Sequence, residues 1–100
     1  MIIISGTMSV DPSDHDAAVA LIGPLVEATL EEPGNGTYGF WAHPSEPGTF
    51  RVYEEWDDED SMNAHMTAPH FVEFMGGIAG LKVTGTEIMR HDVEKSERFM

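Results

Sequence analysis

The segment from Glu54 to Phe71, EEWDDEDSMNAHMTAPHF, carries the side chains of this chain that are best suited to chemistry. Glu54 and Trp56 fall on one face of a predicted strand, and His65 follows on a predicted helix. An imidazole near a carboxylate can act as a general base near neutral pH, because burial and neighbouring charge tune its pKa. The segment therefore predicts an acid–base site with His65 and Glu54 as its catalytic residues.

Both residues also have a purely structural interpretation. His65 falls on a helix face that should be apolar, and that pattern is more typical of a core histidine with one hydrogen bond. Glu54 shares its strand face with apolar neighbours, where an unpaired carboxylate is costly. It must therefore be paired, protonated or beside a wet cavity, and a hydrogen bond to His65 or to the backbone would satisfy it.

Apolar residues of the same elements predict a flat, adaptable pocket for an aromatic ligand. Methionines occur at helix and strand positions that point the same way, namely Met8, Met62, Met66 and Met75. The alternative is that these side chains form ordinary core. The predicted substrate-binding residues are Trp56, Phe40, Val52, Met62 and Phe74.

The histidine spacing argues against a metal site. His65 and His70 are five positions apart with Pro69 between them, whereas two ligands on one helical face normally lie four apart. We therefore predict no metal site, and for His70 a local capping or backbone hydrogen bond. The chain has no cysteine, which excludes disulfides and thiolate chemistry, and no glycine-rich nucleotide loop.

The overall charge restricts the partners. Eighteen acidic residues against 5 basic ones give a formal net charge of −13 in 100 residues. Such a chain repels nucleic acid and anionic membrane surfaces, so a small molecule is the expected partner. No stretch has the length of a membrane span and the start lacks a basic leader, so we expect a cytoplasmic protein.

The element order that positions these residues is strand, helix, strand, strand, helix, strand. It predicts an α+β, ferredoxin-like βαββαβ fold with an antiparallel sheet in residues 1–92, followed by a tail at 93–100. The second sheet face also carries apolar side chains, which favours a homodimer packed sheet to sheet. The predicted strands are Ile2–Val10, Thr37–His43, Thr49–Trp56 and about Leu81–His91. The first predicted helix starts at Asp11-Pro12 and has a kink or a break at Pro24. The second starts at Asp57–Asp60, breaks near Thr67 and resumes at His70.

The Glu54–Phe71 segment resembles the signature of the antibiotic-biosynthesis monooxygenase family of dimeric α+β barrels. In that family a strand ending in Glu-x-Trp leads to a helix with His, and then to Pro-His. The segment EEPGNGTYGF is also similar to the family's Glu-x-Gly turn into the second strand. The resemblance implies a dimer in which each subunit holds a pocket between sheet and helices, and it is strongest to the quinol-oxidising type.

The resemblance also implies an activity. Members similar to this chain oxidise electron-rich phenols, quinols or anthrones with O2, and they need neither metal nor flavin because the deprotonated substrate supplies the electrons. On this reading His65 or a neighbour deprotonates the substrate and Trp56 packs against its ring. Thr7, His65 and Met75 replace the residues of haem-degrading members, so haem is not expected.

The pattern of polyketide-tailoring members is broken at Val52 and Gly76, which puts an identical anthrone mechanism in doubt.

Two other functions stay open at this point. The same fold also serves isomerases of small carbonyl compounds and non-catalytic ligand-binding or stress-associated dimers.

Overall fold

The computed structural model describes residues 1–100 and confirms the α+β, ferredoxin-like prediction. One layer is a four-stranded antiparallel sheet and the other is formed by three α-helices. A 3-10 turn at Pro12–Asp14 precedes the first helix. The elements are β1 Ile2–Val10, α1 His15–Thr29, β2 Asn35–Ala42, β3 Thr49–Trp56, α2 Glu59–Thr67, α3 Pro69–Ala79 and β4 Val83–Asp92.

The strands lie in the order β2-β3-β1-β4. β1 pairs with β3 from Ile2 opposite Trp56 to Ser9 opposite Thr49, so the alternation along both strands is in phase. The helix-facing side therefore collects large apolar residues into one core with α1 and α3. Its buried strand members are Ile2, Met8, Val10, Tyr38, Phe50, Val52 and Trp56.

Local signals start and end the helices as the sequence predicts. Asp11 Oδ1 accepts from the Ser13 backbone N–H at 3.0 Å, and Asp58 Oδ1 accepts from the Ser61 backbone N–H at 2.8 Å. Ala68, before Pro69, is extended with ψ 143°, which separates α2 from α3. Helix α3 begins at Pro69 itself, because proline is tolerated in the first turn of a helix.

Several details of the elements differ from the prediction. Helix α1 runs unbroken through Pro24, so the competing prediction of a break was wrong. β2 spans Asn35–Ala42 rather than Thr37–His43, because Asn35 already pairs with Trp56 of β3; the Asn35 side-chain amide also donates to the carbonyls of Thr37 and Glu55 at 3.2 Å each. These bonds attach an irregular strand start to β3.

The second face of the sheet has no helix over it. Its residues include Trp41 and Met89, which are 53% and 57% exposed. Polar side chains also bond across this face, for example Arg51 Nη2 to Ser5 Oγ at 2.9 Å. None of the helices combines the length and apolar character needed to cross a membrane.

Candidate active site

A cavity of about 650 Å³ lies between the sheet and helices α2 and α3. Its wall is mostly apolar, with 14 hydrophobic residues among 19. Four of the five predicted substrate-binding residues border it, namely Phe40, Val52, Met62 and Phe74. Met8, Met66 and Met75 border it as well, Tyr38 is among the aromatic members, and the polar members include Glu54, His65 and Arg90.

Trp56 is the exception among the predicted ligand contacts. It is 0% exposed and does not border the cavity, because it lies at the end of β3 deep between sheet and helices. Its indole Nε1 instead donates to Glu54 Oε1 at 2.9 Å. The expected direct contact of Trp56 with a ligand is thus replaced by a contact with a carboxylate on the cavity wall.

Glu54 is half-buried and borders the cavity. Burial raises the pKa of its carboxyl, the hydrogen bond from Trp56 lowers it, and the negative charge of Glu32 raises it further. The suggested hydrogen bond between Glu54 and His65 is not formed, because Trp56 is the partner of Glu54. Glu54 is a carboxyl group whose proton affinity is increased beside an apolar space.

His65 is 1% exposed and borders the same cavity. Its Nδ1 lies 2.6 Å from Oε2 of Glu32, while its Nε2 is buried and has no hydrogen-bond partner. Rings surround the imidazole, with centroids at 4.8 Å for Phe71, 5.0 Å for Trp56 and 5.1 Å for Tyr38. Burial lowers the pKa of His65, and Glu32 opposes this effect through its hydrogen bond and its charge.

His70 approaches the same carboxylate from the start of α3. Its Nε2 lies 2.7 Å from Oε2 of Glu32, so the predicted local capping or backbone role was wrong. The three residues Glu32, His65 and His70 place potential ligand atoms within 4.8 Å of one another and could together reach one metal ion. The spacing argument against a metal missed this group, since it considered only pairs on one helix.

Glu32 is the residue that sequence reasoning missed. It lies in the turn after α1, where the segment EEPGN was interpreted only as the end of a helix. Gly34 in that turn has φ +82°, and a Cβ there would overlap Ser61 Oγ on α2. The glycine therefore lets the turn approach α2 closely, and a glutamate two residues before it was the available signal.

The arrangement is suited to proton transfer in an apolar environment. Two groups with shifted pKa values, Glu54 and His65, border one apolar cavity. Such pairs are typical of sites where a substrate gains or loses a proton. Burial and the nearby carboxylates of Glu54 and Glu32 also raise the pKa of Tyr38, which keeps its hydroxyl protonated as a hydrogen-bond donor.

Comparisons with known proteins agree with this architecture. The chain is 25% identical over 96 residues to an uncharacterized protein of Synechocystis sp., of which it spans 65%. It is also 25% identical over 95 residues to YcnE of Bacillus subtilis, which is provisionally named a monooxygenase, and these cover 95% of this chain and 100% of YcnE.

Solved structures show the same likeness. A crystal structure of a provisionally named antibiotic biosynthesis monooxygenase from Deinococcus radiodurans has a TM-score of 0.90 and 26% identity, over 100% of this chain and 99% of the other. A conserved protein from Methanosarcina mazei has a TM-score of 0.82 and 29% identity, over 90% and 89% of the two chains. A sequence model of the family described as antibiotic biosynthesis monooxygenase matches residues 1–77. The chain belongs to the antibiotic biosynthesis monooxygenase family.

Proposed function

We propose that this protein is a cofactor-independent monooxygenase that oxidises an electron-rich aromatic, such as a quinol, with O2. Family membership and the name of YcnE support monooxygenase chemistry in general. The observation that carries the proposal is the apolar cavity of about 650 Å³ with Glu54 and His65 on its wall. This volume lies within the range of small-molecule sites, and the methionines and aromatic rings suit a flat ligand.

The reaction balances without a bound reductant. Deprotonation of a quinol hydroxyl by His65 or Glu54 increases the electron density of the ring, which then reacts with O2. One oxygen atom forms a bond to the ring and the other leaves as water, so a quinol and O2 give a hydroxyquinone and water. The quinol supplies all the electrons, and the apolar wall protects the oxygen adduct from water.

The test is oxygen consumption with menadiol-like quinols, corrected for autoxidation, together with incorporation of ¹⁸O from ¹⁸O2 into the product. We expect His65→Gln to reduce the corrected kcat by about 10²-fold or more, the usual contribution of a general base. The matched control is His43→Gln, since His43 lies in the loop after β2 and does not border the cavity.

Three results would distinguish the alternatives. Loss of activity in Glu54→Gln, with His65→Gln unaffected, would assign the base to Glu54. Hydrogen peroxide without ¹⁸O in the product would indicate an oxidase instead of a monooxygenase. Wild-type oxygen consumption no faster than autoxidation, across several quinols, would contradict the proposed activity and favour an isomerase or a non-catalytic binding protein.

The uncovered sheet face supports a further part of the proposal, a homodimer packed sheet to sheet. Trp41 and Met89 expose more than half of their surface on this face. Large apolar side chains exposed on an open sheet face are typical of an interface, and an uncovered sheet is otherwise prone to aggregation.

A further inference from the structure

A single carboxylate oxygen accepts two histidine contacts beside the cavity. Oε2 of Glu32 lies 2.6 Å from His65 Nδ1 and 2.7 Å from His70 Nε2. The Glu32 side chain is only 13% exposed and that of His65 2%. The three residues come from the turn after α1, from α2 and from α3, so the contact joins three parts of the helical layer.

These contacts determine where the protons lie. An ionised carboxylate can only accept hydrogen bonds, so each histidine nitrogen that faces Oε2 must carry a hydrogen. A neutral imidazole carries one N–H, which for His65 is then on Nδ1. Its Nε2 keeps the lone pair, and this atom is buried without a partner. A buried acceptor left unpaired is unfavourable, and the hydroxyl of a ligand could supply the missing hydrogen bond.

We infer that Glu32 is a positioning residue, which holds His65 as the Nδ1–H tautomer so that Nε2 can accept the hydroxyl proton of an aromatic ligand. The role of the ligand in this inference rests on the proposed function, whereas the tautomer does not. His70 contributes a second N–H to the same oxygen and thereby holds the Glu32 carboxylate in place. Its side chain is 24% exposed and lies on the outer side of the pair.

A metal ion on the same atoms is the competing explanation. Two ligands of one tetrahedral zinc ion lie about 3.3 Å apart, given bond lengths of about 2.0–2.1 Å. The distances of 2.6 and 2.7 Å from Oε2 to the two nitrogens are shorter and match charge-assisted hydrogen bonds. The two contacts therefore have the geometry of hydrogen bonds.

The ionisable neighbours of His65 come from four elements or turns. Glu32 contacts Nδ1 of His65, and His70 contacts the same oxygen of Glu32. Tyr38 on β2 packs edge-on against the His65 ring with centroids 5.1 Å apart, and Glu54 on β3 borders the same cavity. Burial lowers the pKa of His65, and Glu32 is the group that opposes this effect most strongly. Removal of Glu32 should therefore lower that pKa further.

The decisive experiment reads the tautomer directly. Long-range ¹H–¹⁵N NMR of the full chain, with no added ligand, separates a ring nitrogen that carries hydrogen from one that carries a lone pair. At pH values above the pKa of His65, where the ring is neutral, we expect Nδ1 of wild-type His65 to carry the hydrogen. Glu32→Ala should shift the population toward Nε2–H or a mixture, and the control Glu31→Ala should leave it unchanged because Glu31 is exposed.

Several outcomes would overturn the inference. Nε2–H in the wild-type protein would do so even if Glu32→Ala did not fold, as would an unchanged tautomer in folded Glu32→Ala. A zinc titration that shifts the NMR signals of His65 Nδ1 and His70 Nε2 together at about one equivalent would show that these atoms form a metal site rather than two hydrogen bonds to Glu32.

A second arm uses the proposed activity. In Glu32→Ala we expect kcat for quinol oxidation to fall about 10²-fold with little change in KM, because the base loses its orientation rather than the substrate its contacts. The acid limb of the pH profile should move to lower pH, because loss of Glu32 lowers the pKa of His65. An unchanged limb together with unchanged kcat would contradict the positioning role. The tautomer measurement needs no substrate, so it tests Glu32 separately from the oxygenase proposal.

Discussion

At the scale of single residues, the central feature is a pair of acceptors held by unexpected donors. Glu54 accepts a hydrogen bond from the Trp56 indole, and Oε2 of Glu32 lies within hydrogen-bonding distance of His65 and His70. A carboxylate that must leave water is stabilised by such fixed donors. Trp56 thus affects the cavity through its hydrogen bond to Glu54, although the indole ring itself does not border the cavity.

The raised pKa of Glu54 makes a prediction about stability. The folded protein holds this proton more tightly than the unfolded chain does, so ionisation of Glu54 opposes folding as pH rises above the usual value of 4.5. The stability of Glu54→Gln relative to wild type should therefore increase between pH 4 and pH 7. Urea unfolding at a series of pH values measures this difference.

The matched control for this measurement is Glu46→Gln, whose carboxyl is 65% exposed in the loop between β2 and β3. A difference for Glu54→Gln that stays constant between pH 4 and pH 7 would show that burial does not raise the Glu54 pKa in the folded protein.

At the scale of elements, the approach of the turn after α1 to α2 decides the geometry. Gly34 has φ +82° and lies against Ser61, and its carbonyl accepts from the Asp57 backbone N–H at 2.8 Å. The turn is thus fixed to the end of β3 and the start of α2. This brings Glu32 to the histidines.

Gly34→Ala should therefore destabilise the protein. A positive φ in a non-glycine residue costs about 1–3 kcal/mol, and the methyl group must also displace Ser61. Urea unfolding should show that loss, and the His65 NMR signals should shift because the turn moves away. Gly76→Ala is the control: it lies in α3 with nothing within 4 Å of an added Cβ, and there alanine should stabilise by about 0.5–1 kcal/mol. Equal effects of the two substitutions would contradict this account of the turn.

At the scale of the whole molecule, the two faces of the sheet have different roles. The helices cover one face and enclose the cavity, while the other face exposes Trp41 and Met89. A second copy packed on that face would bury it without closing the cavity, which lies on the opposite side. In the proposed dimer, assembly and ligand binding would therefore use separate surfaces.

Light scattering on a sizing column tests the proposed dimer. We expect the wild type to be a dimer at micromolar concentration, and Trp41→Glu to be mostly monomeric because the charge must be desolvated at the interface. Val72→Glu is the control, since Val72 is 59% exposed on α3 and lies in the helical layer. A wild-type monomer, or a Trp41→Glu dimer as stable as wild type, would contradict packing through this face.

The alternation of buried and exposed residues along the strands and the break between α2 and α3 could be predicted from the sequence. The alternation through Phe50, Val52 and Trp56 assigned one face of β3 to the core, and the alternation is confirmed by their near-complete burial. Pro69 predicted the separation of α2 from α3 because its ring disfavours helical geometry at Ala68. These signals act within a few residues, so no knowledge of the distant chain was needed.

The partners of the ionisable groups were decided only by the tertiary structure. His65 and Glu54 were found from the pattern, but their pairing was not, because Trp56 competes for Glu54 and Glu32 comes from a distant turn. Two side chains from separate elements form a hydrogen bond only if the distance between their atoms is right to within a few tenths of an ångström, and periodicity does not encode that distance. The sequence by itself determined the fold, the family resemblance and which chemical groups face the helices. The packing of the turn, α2 and α3 decided which of those groups meet, since only packed elements fix such distances.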